Sequence, residues 1–272
     1  MLYVQVGFGC NNACVFCAQG ELRTTSTDPG LDALAASLAA LPSGEPVAFV
    51  GGEPTLLPAL SDLARRAREH GATRVLVQTN GRRLSESGLA GELLKAGVSS
   101  LDVSLHGSSE PMHDWHTGVA GSFRQTITGL RRARAAGLPF ATTTVVTRSN
   151  FRHLVEIVRV AHVLGARAVQ LVAARLLGQA ARNAARVIPA PQLAEREIAR
   201  AFDVARSLEL EVVAGHRVEP ASAAAWFAGL GSVEPDDRNR QQAVRRERPG
   251  TGLVPLRRTA GAGGQILTAS EG

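Results

Sequence analysis

From residue 2 to about residue 213, short strand-like runs alternate with amphipathic helical runs, and few architectures accept that alternation. Strands are predicted at Leu2–Val6, Pro46–Val50, Arg74–Gln78, Ser100–Leu105, Phe140–Thr147 and Ala168–Ala173, with a short last one at Glu211–Val213. Helical spacing runs through Leu31–Leu41, Leu56–His70, Ser85–Ala96, Ser122–Ala136, Phe151–Leu164 and Pro191–Leu208. Asp28 is expected as the N-cap of the first helix and Pro29 as its first residue, while Gly97, Gly137 and Gly165 follow helices as C-terminal stops. Repeated strand–helix units build a parallel sheet with right-handed crossovers. About six units are too few for a closed eight-fold barrel. The expected α/β fold is therefore an open, TIM-like partial (β/α)6 barrel. Chemistry in such folds collects at the C-terminal ends of the strands.

The chain has only three cysteines, and all fall in one loop after the first strand: Cys10-Asn11-Asn12-Ala13-Cys14-Val15-Phe16-Cys17. An odd, tightly spaced set suits a disulfide framework poorly. Thiolates are soft ligands for iron–sulfur clusters or zinc. Three of them can grip three corners of a cubane and leave the fourth iron open to a ligand. A three-Cys-one-His zinc site and unconnected core thiols are the competing readings.

Several other strand ends carry unusual residues. Gly51-Gly52-Glu53-Pro54 closes the second strand. Its glycines admit close approach of a ligand, Pro54 stiffens the turn, and Glu53 offers a carboxylate to an ammonium. Gln78-Thr79-Asn80-Gly81 closes the third strand with a turn signal. In Asp102-Val103-Ser104-Leu105-His106-Gly107, strand alternation places Asp102, Ser104 and His106 on one face. His113-Asp114-Trp115-His116-Thr117-Gly118 follows, and Ser122 is expected to cap the next helix. Zinc binding by His113 and His116 is a weaker alternative for that stretch. Thr147 and Asn150 end the fifth strand at the same rim, and Arg175 lies past the sixth, within reach of an anionic group.

Net charge is +6, yet Lys95 is the only lysine among 30 basic residues and aromatics are 4%. That skew reads as an Arg-rich coding bias, so no nucleic-acid partner is expected. No apolar run is long enough for a membrane span, and the N-terminus lacks the basic and apolar regions of a signal peptide, so a cytoplasmic location is expected.

The C-x3-C-x2-C triplet with Phe16 before the third cysteine, followed in order by GGEP, T-N-G and the fourth-strand serine, resembles the radical S-adenosylmethionine (radical SAM) superfamily. The resemblance covers about residues 1–215. It implies a partial (β/α)6 barrel, a [4Fe–4S] cluster on Cys10, Cys14 and Cys17, and S-adenosylmethionine on the open iron. One electron from the cluster would then break the sulfur–C5′ bond, and the 5′-deoxyadenosyl radical would take a substrate hydrogen atom. It implies cofactor contacts from Phe16, Gly51, Gly52, Glu53, Pro54, Thr79, Asn80 and Ser104, and a flavodoxin- or ferredoxin-type electron donor. Relatives often carry Asp where His106 stands, which leaves His106 either lining the substrate space or as a polar core residue, and Arg where Thr117 stands, whose contact does not carry over. Gly178 resembles a family glycine at the barrel rim. With no cysteine after Cys17 in this sequence, the resemblance implies a short member without an auxiliary-cluster (SPASM-type) extension. Its substrate would be a peptide or a small molecule. A glycyl-radical-enzyme activase, and a cluster- or S-adenosylmethionine-binding or electron-transfer protein without radical catalysis, are the alternatives. Residues 216–234 are expected to form a C-terminal helical segment and 235–272 a disordered Arg/Gly/Pro-rich tail.

Overall fold

The structure, a computed structural model, describes residues 1–213. The expected segments 216–234 and 235–272 lie outside the described residues. Seven strands form one parallel sheet: β1 (Leu2–Gln5), β2 (Val47–Val50), β3 (Val75–Thr79), β4 (Ser100–Ser104), β5 (Phe140–Val146), β6 (Ala168–Ala173) and β7 (Glu211–Val212). Spatial order follows chain order from β1 to β7, the arrangement of a barrel wall. Within that order β1 pairs only with β2 and β7 only with β6, so the wall stays open. The helices are α1 (Leu22–Thr25), α2 (Leu31–Ala39), α3 (Leu60–Glu69), α4 (Leu89–Lys95), α5 (Glu110–Thr117), α6 (Ser122–Ala135), α7 (Leu154–Leu164), α8 (Gly178–Arg182), α9 (Ala184–Val187) and α10 (Pro191–Ser207).

Period-two alternation divides the sheet into two environments. Val47, Phe49, Val75, Val77, Leu101 and Val103 are buried on the outer face, under the helices. There α3 presents Leu60, Leu63, Ala64 and Ala67 at helical spacing and turns Arg65, Arg66 and Glu69 to solvent. On the inner face stand Tyr3, Ala48, Val50, Leu76, Gln78, Asp102, Ser104, Thr143, Val145, Gln170 and Val172, which line a cavity. The in-phase placement of Asp102, Ser104 and His106 expected from sequence is what the structure shows, since all three line it.

Two capping expectations are corrected. α2 begins at Leu31 with Gly30 as N-cap, because Asp28 is engaged elsewhere: its Oδ1 accepts the Phe8 amide at 2.6 Å, tying the segment before α2 to the start of the cysteine loop. Ser122 is the first residue of α6, not its cap. The Gly121 amide donates to Asp114 Oδ2 at 2.6 Å, and Asp114 Oδ1 accepts from Ser122 Oγ at 2.7 Å and the Phe123 amide at 2.8 Å. An acid from the preceding helix thus supplies the capping oxygens. These donors outweigh what burial would do to Asp114 and hold its carboxyl below the usual range.

Candidate active site

The cysteine loop is fixed by four different segments. From β2, the Gly52 amide donates to Gly7 O at 2.9 Å and the Glu53 amide to Gly9 O at 2.8 Å. A β-carbon on Gly52 would lie 2.0 Å from Gly9 O, and one on Gly51, whose φ is 141°, would lie 2.5 Å from Gly7 O. The paired glycines therefore admit the cysteine loop's own backbone, a close approach that the sequence reading had assigned to a ligand. From α5, the Thr117 and His116 carbonyls accept the Ala13 and Val15 amides at 2.7 and 3.0 Å. From the loop after β6, the Gln179 amide donates to Cys17 O at 2.8 Å and Asn183 Nδ2 to Val15 O at 2.9 Å. Gly178, at φ 52°, packs its Cα into Gly20. From the turn after β3, Asn80 Nδ2 donates to Asn11 Oδ1 at 2.6 Å, and Arg82 donates to Asn11 O and to Asn12 Oδ1.

Glu53 is 3% exposed. Its Oε1 accepts from the Thr55 amide at 3.1 Å, Thr55 Oγ1 at 2.6 Å and Thr79 Oγ1 at 2.6 Å, while Oε2 accepts the Asn80 amide at 2.6 Å. Burial pushes its pKa up, and these four donors pull against burial. Oε2, with a single partner here, keeps acceptor capacity.

A cavity of about 520 Å³ holds most of the expected site. Cys10, Cys14, Phe16, Cys17, Gly51, Gly52, Thr79, Asn80, Ser104, His106 and Arg175 line it, whereas Glu53 and Pro54 do not. Its inner floor is a polar belt across four strands. Gln78 Nε2 donates to Asp102 Oδ2 at 3.1 Å, Thr143 Oγ1 donates to Asp102 Oδ1 at 2.6 Å, and Thr143 Oγ1 lies 3.0 Å from Gln170 Oε1. One hydroxyl hydrogen cannot serve both acceptors, so the belt closes fully with the Gln170 amide turned to donate to Thr143. The sequence reading missed this belt, whose residues sit on the four neighbouring strands β3 to β6.

Three buried histidines stand behind Phe16. His106 meets Phe16 edge-on at 4.8 Å between ring centroids, and His113 stacks on His106 at 5.9 Å. Backbone groups fix their tautomers: the Val145 amide donates to His106 Nδ1, the His106 amide to His113 Nδ1, and His116 Nδ1 faces Met112 O at 2.7 Å. The other nitrogen of His116 meets Thr147 Oγ1 at 2.7 Å and Ser149 Oγ at 2.9 Å. Burial drives His106 well below the usual imidazole range and brings His113 and His116 each to about 4, so all three are neutral. His113 and His116 spend ring nitrogens on the protein, and no three His, Cys, Asp or Glu side chains converge on a single-ion site among the described residues. Thr147 and Asn150, both buried, brace this group instead of lining the cavity.

The thiols themselves ask for positive charge. Burial raises Cys10, and Cys14 is pushed up to about 12 by burial and then by Cys10 and Cys17. Three thiolates cannot share this space unless a cation compensates them, which a metal cluster does by deprotonating its ligands outright. Thiolates that each take a different iron of a cubane stand further apart than three that share one ion. The donor set therefore fits an iron–sulfur cluster.

The family model described as Radical SAM superfamily matches residues 4–161. The chain belongs to the radical SAM superfamily. This family uses a [4Fe–4S] cluster and S-adenosylmethionine. Among curated radical SAM relatives, the AdoMet-dependent heme synthase of Methanosarcina barkeri is 32% identical over 58% of this chain and 46% of its own length. The PqqA peptide cyclase of Ruegeria pomeroyi is 30% identical over 71% of this chain and 52% of its own. The chain spans about half the length of the curated relatives it matches. Among solved structures, anSMEcpe with bound AdoMet and Kp18Cys peptide superposes with TM-score 0.64 at 18% identity, over 78% of this chain and 62% of that one. Streptococcus suis SuiB bound to precursor peptide SuiA gives 0.64 at 16% identity, over 84% and 51%. These likenesses establish the fold, an open radical SAM barrel.

Proposed function

We propose that this chain is the core of a radical SAM enzyme that takes a hydrogen atom from a peptide or small molecule held in the barrel cavity. The observation that carries the reading is that one cavity is walled at one side by Cys10, Cys14 and Cys17 and at the other by the polar belt of the sheet. Its volume, about 520 Å³, suits a small-molecule site. When bound, cluster and cofactor supply one-electron cleavage of S-adenosylmethionine to a 5′-deoxyadenosyl radical.

The protein's part is to hold, orient and exclude water. Cys10, Cys14 and Cys17 would ligate the cluster. Glu53, held in place by Thr55, Thr79 and Asn80, would offer the methionine ammonium the acceptor capacity left on its carboxylate. Phe16, Gly51, Gly52, Thr79, Asn80 and Ser104 form the cofactor's wall, and Pro54 starts the short 3-10 turn that keeps Glu53 in position. The neutral histidines keep charge away from Phe16. A substrate with polar groups matches the Gln78–Asp102–Thr143–Gln170 floor, in keeping with the peptide or small-molecule substrates named for the relatives. The electron donor is a flavodoxin- or ferredoxin-type carrier, and the location is the cytoplasm. No helix of the described residues is long and apolar enough to cross a membrane.

The test is anaerobic reconstitution with iron and sulfide, then reduction in the presence of S-adenosylmethionine. Release of 5′-deoxyadenosine is expected, and Cys14→Ser is expected to bring it to background with the sheet intact by circular dichroism. A cluster-loaded protein that binds S-adenosylmethionine and does not cleave it would show a binding protein instead.

A further inference from the structure

Two arginines beside the cysteine loop differ from the others around it. Arg182 pairs with Glu21, Arg124 with Glu110 and Arg83 with Glu86. Arg23 and Arg82 have no carboxylate partner among the described residues. Instead they donate to consecutive backbone carbonyls of the loop: Arg23 from α1 to Cys10 O at 2.8 Å, and Arg82 from the turn after β3 to Asn11 O. Arg82 also reaches Asn12 Oδ1 at 3.0 Å and Gln125 Oε1 at 2.6 Å. Two arginines without a paired carboxylate thus stand at the first cluster ligand, approaching from separate elements and opposing the field of the buried Glu53 carboxylate.

N–H groups converge on the same cysteine. The Asn12 amide lies 3.4 Å from Cys10 Sγ and Asn80 Nδ2 lies 3.9 Å from it, whereas at Cys14 the amide that acts on the thiol is its own. Both kinds of group favour added negative charge, and net charge and hydrogen bonds to sulfur are what set the potential of an iron–sulfur cluster.

We propose that Arg23 and Arg82 are tuning residues that raise the reduction potential of the cluster through their unpaired charge on the Cys10–Asn11 segment. The proposal rests on the assignment of the cluster to Cys10, Cys14 and Cys17. Its consequence is that a weaker reductant suffices to load the electron than the same loop would need without them. The arginines donate to carbonyls of the loop and not to the three thiol sulfurs, and act through the field and the held carbonyls.

The test uses the full chain, cluster-loaded, in an anaerobic redox titration followed by the electron paramagnetic resonance signal of the reduced cluster. Iron and acid-labile sulfide are measured first. A wild type that takes up neither would undo the cluster assignment itself, which is a separate failure. Arg23→Gln and Arg82→Gln keep N–H donors and remove the charge. Each is expected to retain the cluster and to shift the midpoint to more negative potential. Arg23→Lys and Arg82→Lys are expected to restore it toward wild type. The Gln shift should shrink in part as salt rises from about 0.05 to about 0.5 M, because both arginines are half-buried and their charges are partly screened. A loop-bracing role alone would leave the potential insensitive to salt. Cluster-loaded Gln variants with the wild-type midpoint at low salt, or a shift indifferent to salt and unrestored by Lys, overturn the proposal.

Discussion

Gly52 carries the tightest constraint at the residue scale, since a β-carbon there would sit 2.0 Å from Gly9 O and 2.5 Å from Phe8 O. Both obstacles are backbone, so the loop itself must move. Gly52→Ala is expected to cost at least the upper part of the ~1–3 kcal/mol typical of overpacking, read by urea unfolding of the cluster-free protein, and to lower iron uptake on reconstitution. A variant with unchanged stability and iron content would show that the loop yields freely. The need for two glycines was legible in the sequence; their partner was not, because a glycine pair records only that something comes close. The same holds for Asp28. As an Asp before a Pro it reads as a helix cap, and only the fold shows its carboxylate on the Phe8 amide.

Among the elements, α5 shows what periodicity leaves out. His113, Asp114 and His116 were visible as a polar motif, yet their eight-residue helix was not expected, because its buried face is built of His113, His116 and Thr117 in place of aliphatic residues. Asp114 on this helix caps the next one. Asp114→Ala removes acceptors from two α6 amides and one hydroxyl, so a loss of about 1–2 kcal/mol in urea unfolding is expected, with Asp114→Asn recovering part of it. No change in the Ala variant would mean that water serves the α6 terminus equally well. The strands were far more legible. All six expected strands and the short seventh appear within a residue or two, because apolar residues recur at every second position beneath the helices and turn residues bound most of the runs. Helix starts were read too early after β2 and β3, where the chain first makes 3-10 turns at Pro54–Leu56 and Arg83–Ser85.

For the whole molecule, the histidine group makes stability depend on pH. His113 and His116 sit at about 4 when folded, below the ordinary value of about 6.5 for an unfolded chain. The unfolded state therefore binds more protons through that interval. Their contribution is complete above about 6.5 and is lost as pH falls toward 4. Unfolding free energy of the cluster-free protein should decline on acidification across that window, and His113→Gln should flatten the decline. A flat profile in the wild type would mean that the rings protonate without disturbing the core. The partial barrel was legible from counting strand–helix units, and the cysteine triplet pointed to its own chemistry. The polar belt and the bracing of the loop were not, since both join residues from several strands and no local pattern records which strands meet.

The contacts from Asn183 to Val15 and from Arg182 to Glu21 span 168 and 161 positions of sequence. The cysteine loop precedes β2 in the chain, and the segment that clasps it follows β6. Without that segment the Cys17 and Val15 carbonyls lack their partners, and Gly20 has nothing to pack against. The cradle of the three cysteines is therefore complete only when both ends of the sheet have been brought together.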